Sequence, residues 1–191
     1  MSEGISISNF TEFINKDEKV FGVMIGVVIK NDSANDSEKP GPGLVKVQIP
    51  LLGMKESNWA RMASFMAGKE RGAFFLPEVG DEVLVAFENG DVNKPFVIGA
   101  LWNGKDTPPE KNSDGKNDVR IIKSRSGNII QFTDKSGSEK ITISSTKDIE
   151  LLAPNGKLSI NAKEVEIKSS ATTKIEASSD MTIKGSTVNI N

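Results

Sequence analysis

Residues 140–191 read KITISSTK DIELLAPNG KLSINAK EVEIKSSA TTKIEASS DMTIKGS TVNIN when the chain is broken at each return of one short pattern. The first marked position runs Ile141, Ile149, Leu158, Val165, Thr173, Met181, Val188, and its partner two residues on runs Ile143, Leu151, Ile160, Ile167, Ile175, Ile183, Ile190. Successive units are eight, nine, seven, eight, eight and seven residues apart, and the stretch contains no aromatic ring. Two apolar residues at i and i+2 share one face of an extended strand, and the Ser, Thr, Asn, Asp, Gly and Lys residues between them make polar turns. A solvated disordered tail would not return isoleucine every eighth residue. The stretch is therefore predicted to be a β-structured repeat.

An octad is too short for one coil of a single-chain solenoid, where repeats of about 20 residues or more are usual. Two apolar residues per strand also cannot close a core inside one chain, and would leave an apolar face wet and a long edge unpaired. Three chains remove both faults. Their strands form the sides of a prism, each inward residue meets two copies of itself, and each octad adds about 4.8 Å along the axis. The expected trimer core is Ile141, Ile143, Ile149, Leu151, Leu158, Ile160, Val165, Ile167, Ile175, Met181 and Ile183.

Working back toward the N-terminus, Asp118–Phe132 reads as the lead-in to this array through Ile121, Ile129, Ile130 and Phe132, with a longer loop at Thr133–Lys140. Residues 104–118, rich in Pro, Gly, Asn and Asp and free of apolar side chains, form a linker. Residues 21–103 are strand-patterned throughout. Val20–Ile29 is a β-branched run broken by Gly22 and Gly26, Leu44–Ile49 alternates with period two, Asn58–Met66 begins a third strand, and Glu82–Phe87 and Pro95–Trp102 follow. Asn31–Gly43 is a polar loop, and Asn89-Gly90 marks a tight turn with positive φ. Five short strands in this space predict a small Greek-key barrel of the OB class. The fold class is thus all-β, an OB barrel followed by an intertwined trimeric β-prism over 119–191. Residues 1–20 read as a short helix and linker, with Asn9 as N-cap and Phe10, Phe13 and Ile14 on one face, packed on its own domain or docked on a partner.

Composition excludes several function classes. The 191 residues include no cysteine and no histidine, which removes disulfides, thiolate metal sites and the commonest general base. A formal net charge of -2 gives no basic surface for nucleic acid. No secretory signal core or membrane-length apolar run is present, so assembly in the cytoplasm is expected, with any export left to a carrier. Glu78, Asp81, Glu82, Glu88 and Asp91 cluster at turns and strand ends, where carboxylates are solvated, and not across a cleft. Trp59, Phe74, Phe75, Phe87, Phe96 and Trp102 sit in apolar contexts better suited to a barrel or trimer core than to base stacking. No catalytic residue, cofactor or metal ligand is assigned.

The segment Trp59-Ala60-Arg61 … Ala67-Gly68-Lys69 … Gly72-Ala73-Phe74-Phe75-Leu76-Pro77-Glu78-Val79-Gly80-Asp81-Glu82-Val83-Leu84-Val85-Ala86-Phe87 resembles the barrel signature of the phage baseplate protein V and VgrG spike family. So do Glu88-Asn89-Gly90-Asp91 and Pro95–Asn103, while Ser124–Asn128 with Asp134–Gly137 resembles the passage from that barrel into the family's triple-stranded β-helix. Within the signature Gly80 and Gly90 mark turns, Pro77 ends an irregular segment, and Gly99 is expected where a neighbour approaches closely.

The resemblance implies a central spike of a contractile injection machine, a structural homotrimer that touches the target membrane only transiently. Family members of type VI systems carry a large hub domain before the barrel, and some phage spikes carry a muramidase before the needle. Neither is visible here, so a separate hub protein and a phage tail or tailocin are expected. Val188, Ile190 and Asn191 are the expected docking surface for a small tip protein similar to the family's PAAR-repeat tips. The alternatives are a trimeric receptor-binding adhesin or tail fibre, and an OB-fold nucleic-acid-binding module. Retention on single-stranded DNA would mark the latter.

Overall fold

The computed structural model describes residues 19–190, which divide into one compact unit ending at Thr146 and another beginning at Lys147. The expected N-terminal helix, with Asn9, Phe10, Phe13 and Ile14, lies outside the described residues, as does Asn191. No α-helix occurs among the described residues.

The first unit contains a closed barrel of β1 (Met24–Lys30), β2 (Leu44–Gln48), β3 (Ala60–Met62), β6 (Glu82–Phe87) and β7 (Pro95–Leu101). A two-stranded hairpin of β4 (Ala67–Gly68) and β5 (Arg71–Gly72) is inserted between β3 and β6. The barrel order is β1-β2-β3-β7-β6, with β6 pairing back onto β1. Every neighbour is antiparallel except β3 and β7, which run parallel. Five strands closed in this order form the OB barrel read from the sequence.

Period-two alternation builds its core. On β6, Val83, Val85 and Phe87 point inward, whereas Glu82, Leu84 and Ala86 do not. Val28, Val45, Val47, Ile49, Ala60 and Val97 complete the buried cluster. Each of the valines, the isoleucine and the phenylalanine contributes about 1.5–3 kcal/mol when fully buried. Two buried serines serve the backbone of β2. Ser33 Oγ accepts from the Leu44 amide at 3.1 Å, and Ser57 Oγ accepts from the Val47 amide at 3.0 Å.

Local details depart from the sequence reading in three places. The third strand is only Ala60–Met62, because the chain turns away into the unanticipated β4–β5 hairpin. The Asn89-Gly90 pair does take positive φ, 51° and 78°, but the connection spans residues 88–94, longer than a two-residue turn. Gly99 is not closely approached within the chain. A Cβ there would meet nothing within 4 Å, because β7 bulges at Ile98 as the register passes from Leu84↔Gly99 to Val85↔Val97. The close approach falls at Gly26, where a Cβ would lie 3.0 Å from Val85 Cγ2 and 3.3 Å from the Gln48 carbonyl oxygen.

After Leu101 the first unit continues into a meander of β8 (Val119–Lys123), β9 (Ile129–Thr133) and β10 (Lys140–Ser144), antiparallel throughout. The Ser124–Asn128 turn closes with the Ser124 amide donating to the Asn128 carbonyl at 2.9 Å, and Arg120 pairs with Asp134. In the second unit no helix or strand is assigned among residues 147–190, and a turn at Ala153–Gly156 carries a backbone hydrogen bond.

Candidate assembly surfaces

The register of the meander fixes which side chains share a face. Ile122 pairs with Ile130, and Ile130 with Ile143, while Phe132 pairs with both Arg120 and Ile141. Directly opposed residues project to the same side. Ile122, Ile130, Phe132, Ile141 and Ile143 therefore form one contiguous apolar face, and all five are exposed in the single chain. Ile121 and Ile129 lie on the other face with Gln131 and Thr142 and are partly covered. Sequence reading placed Ile141 and Ile143 together correctly by i, i+2 spacing. It grouped Ile121 and Ile129 with Ile130 and Phe132, which the register separates, and it passed over Ile122.

In the second unit Ile149, Leu151, Leu158, Ile160, Val165, Ile167, Ile175, Met181, Ile183, Val188 and Ile190 are all exposed, Ile167 at 73%. Leu152 is 83% exposed and falls outside the two-position pattern. Polar side chains keep strand-like periodicity here. Lys168 pairs with Glu166, and Lys174 with Glu176, each at 2.6 Å across an i, i+2 step. In each pair the two partners reach the same side of the chain, as i and i+2 do in an extended segment. Large exposed apolar patches commonly mark interaction sites on proteins.

A third apolar surface surrounds the β4–β5 hairpin. Phe65 is 86% and Phe74 75% exposed, and Met66 and Phe75 are exposed beside them. Gly72 at φ 148° is required here, since a Cβ would lie 2.5 Å from the Met66 carbonyl oxygen. Barrel burial accounts for Phe87 but not for Phe74, Phe75 or Trp102.

The remaining rings are occupied by cations. Lys46 Nζ lies 5.2 Å from the Trp59 ring centre, and the Arg61 guanidinium 4.4 Å from that of Phe96. Lys46 also donates to Glu56 at 2.8 Å, and Glu38 lies 3.7 Å away. The hydrogen bond from Lys46 holds the Glu56 carboxyl below the usual range, and the same bond raises Lys46 against the opposing effect of burial. Four of the five clustered carboxylates serve local structure. Asp81 Oδ2 accepts from the Glu78 amide, Asp91 Oδ1 from the Asn93 amide, Glu78 pairs with Arg125, and Glu88 with Lys94. The Asn93 amide keeps Asp91 below the ordinary aspartate range. Among the described residues no group of three metal-ligating side chains comes together, and no helix is long and apolar enough to cross a membrane.

Comparison with known proteins bears on the barrel. Residues 24–102 match the type VI secretion system and phage-baseplate injector OB domain. The chain is 34% identical over 119 residues to the type VI secretion system spike protein VgrG3 of Vibrio cholerae, covering 58% of the chain and 12% of that relative. It is 30% identical over 122 residues to the actin cross-linking toxin VgrG1 of Vibrio cholerae, covering 59% of the chain and 11% of the relative. It is 29% identical over 125 residues to the spike protein VgrG1b of Pseudomonas aeruginosa, covering 59% and 17%. The matched stretch spans less than a fifth of each relative's length.

Proposed function

From a barrel that belongs to the injector OB-domain family of phage baseplates and type VI secretion systems, we propose that this chain is the central spike of a contractile injection apparatus, a non-enzymatic homotrimer. The observation that carries this reading is the stripe of octad-spaced apolar residues left exposed by a single chain downstream of that barrel. In the trimer, residues 21–103 form the adaptor, 104–118 the linker and 119–191 the three-chain prism. Ile141, Ile143, Ile149, Leu151, Leu158, Ile160, Val165, Ile167, Ile175, Met181 and Ile183 fill its axis, and the Ile130–Phe132 face extends the same contact.

The work of such a spike is mechanical. A contracting sheath drives it forward, and continuous inter-strand hydrogen bonding between three chains resists buckling because many strands must separate together. Its partners are a hub protein on the barrel side and a small conical tip protein on the last octad, at Val188, Ile190 and Asn191. Deleting residues 188–191 should abolish capture of a PAAR-like tip protein while leaving the trimer intact.

The decisive measurement is molar mass by light scattering. A stable trimer is expected, and Ile160→Asp or Ile175→Asp should dissociate it, since three carboxylates on the axis cost several kcal/mol each when desolvated. A wild-type monomer would sink the reading.

A further inference from the structure

The polar faces of the octads carry an ordered set of charges. Relative to each apolar pair, three positions point away from it: the residue before, the one between, and the one after. The first column runs Lys140, Asp148, Lys157, Glu164, Thr172, Asp180, Thr187; the second Thr142, Glu150, Ser159, Glu166, Lys174, Thr182, Asn189; the third Ser144, Leu152, Asn161, Lys168, Glu176, Lys184, Asn191. Wherever two successive octads both carry charge in one column, the signs are opposite: 140 with 148, 148 with 157, 157 with 164, 166 with 174, 168 with 176, and 176 with 184. Wherever octads two apart both carry charge, the signs are the same: 140 with 157, 148 with 164, 150 with 166, 164 with 180, and 168 with 184.

We infer that these charges are a register code read between chains. The inference rests on the proposed trimeric prism, in which each octad of one chain stacks on the following octad of a neighbour. Stacked positions lie about 4.8 Å apart, closer than the roughly 6.8 Å between i and i+2 along a strand. The stacked neighbours therefore dominate, and the like pairs Asp148–Glu150 and Glu164–Glu166 are each bridged by stacked lysine. The observed pairs Glu166–Lys168 and Lys174–Glu176 fit the same scheme. Stacking these two octads makes a four-charge checkerboard, opposite in sign along both directions.

The second apolar position is isoleucine in every octad but one, Leu151, so burial there does not distinguish one octad from the next and leaves a one-repeat slip open. The charges forbid it. Correct stacking makes six attractive contacts per chain, whereas a one-octad slip replaces them with five repulsive ones, the arrangement by which a self-complementary surface specifies its partner's register. The partner for this surface is a second copy of the same chain.

The test uses full-length chains. In one, the nine charges at 140, 148, 157, 164, 166, 168, 174, 176 and 184 are all reversed (Lys140→Glu, Asp148→Lys, Lys157→Glu, Glu164→Lys, Glu166→Lys, Lys168→Glu, Lys174→Glu, Glu176→Lys, Lys184→Glu), which preserves every successive pair within a like-chain trimer. Wild-type and reversed chains, distinguished by mass, are unfolded together, refolded at low salt and counted by native mass spectrometry. Random assembly gives roughly three quarters mixed trimers. The code predicts that each chain sorts with itself, that mixed trimers fall below about one tenth, and that they return in molar salt as screening shortens to a few ångströms. Statistical mixing at low salt, or a reversed chain that fails to trimerise alone, overturns the code while the trimer stands. A wild-type chain that remains monomeric overturns the trimer itself.

Discussion

At the scale of single residues, the barrel tolerates or refuses change according to what surrounds each Cα. Gly26→Ala should destabilise it by about 1–3 kcal/mol, since the new methyl meets a backbone carbonyl as well as Val85. Gly99→Ala should change barrel stability by less than about 0.5 kcal/mol. Denaturant unfolding followed by tryptophan emission measures both, and a reversed order would show that the bulge at Ile98 is misplaced. The resemblance suggested close approach at Gly99, but a bulge is not visible in strand alternation, whereas the barrel closure that crowds Gly26 depends on three strands far apart in sequence. The Lys46–Glu56 pair adds a pH signature. Glu56 is lowered, so its contribution is complete above the ordinary glutamate pKa and is lost as pH falls through the lower folded value. Lys46 is raised, so its contribution is present below the ordinary lysine pKa and lost as pH rises through the higher folded value. Lys46→Met should remove the alkaline loss and weaken the acid one, leaving the smaller part that Lys30 supplies at 3.6 Å. Unchanged pH profiles of the melting midpoint would show the pair to be idle.

At the scale of elements, alternation made the barrel legible. β1, β2, β6 and β7 sit where β-branched runs and bounding turns put them, and their inward residues follow period two. The β4–β5 hairpin was not legible because two-residue strands carry no period, and its position depends on Gly72 packing under Met66. Which apolar residues of the meander share a face was also hidden, since that follows from pairing across turns rather than from order along the chain. The register now assigns a test. Phe132→Asp should weaken association by about 1.5–3 kcal/mol per copy from lost burial alone, while the tryptophan-monitored unfolding of the barrel stays unchanged. Ile121→Asp, on the partly covered face, should instead act on the fold of the meander within one chain. Sedimentation and unfolding of the two variants separate these outcomes, and Phe132→Asp trimers as tight as wild type would remove the exposed face from the interface.

At the scale of the whole molecule, the two units satisfy their apolar residues in different ways. The first contains a closed set of buried side chains from Val28 to Val97, beside the exposed apolar face of β8–β10. The second exposes its octad isoleucines and has no strand among its described residues; in the proposed prism its order comes from partner chains. Unfolding should therefore occur in two steps. The barrel step should be cooperative and independent of protein concentration, as for a small two-state domain. The octad step should move to higher denaturant as concentration rises, since dissociation accompanies it, and it should equilibrate slowly, because separating intertwined strands sets a kinetic barrier. Residues 1–106 alone should retain the first step and associate only weakly. Ile160→Asp should abolish the second step and leave the first where it was. The measurement is guanidinium unfolding at several chain concentrations, with tryptophan emission reporting Trp59 in the barrel and far-ultraviolet dichroism reporting total strand. A tight trimer from residues 1–106 would move the assembly interface into the barrel. A single transition insensitive to concentration in the full chain would mean that the octads do not hold three chains together.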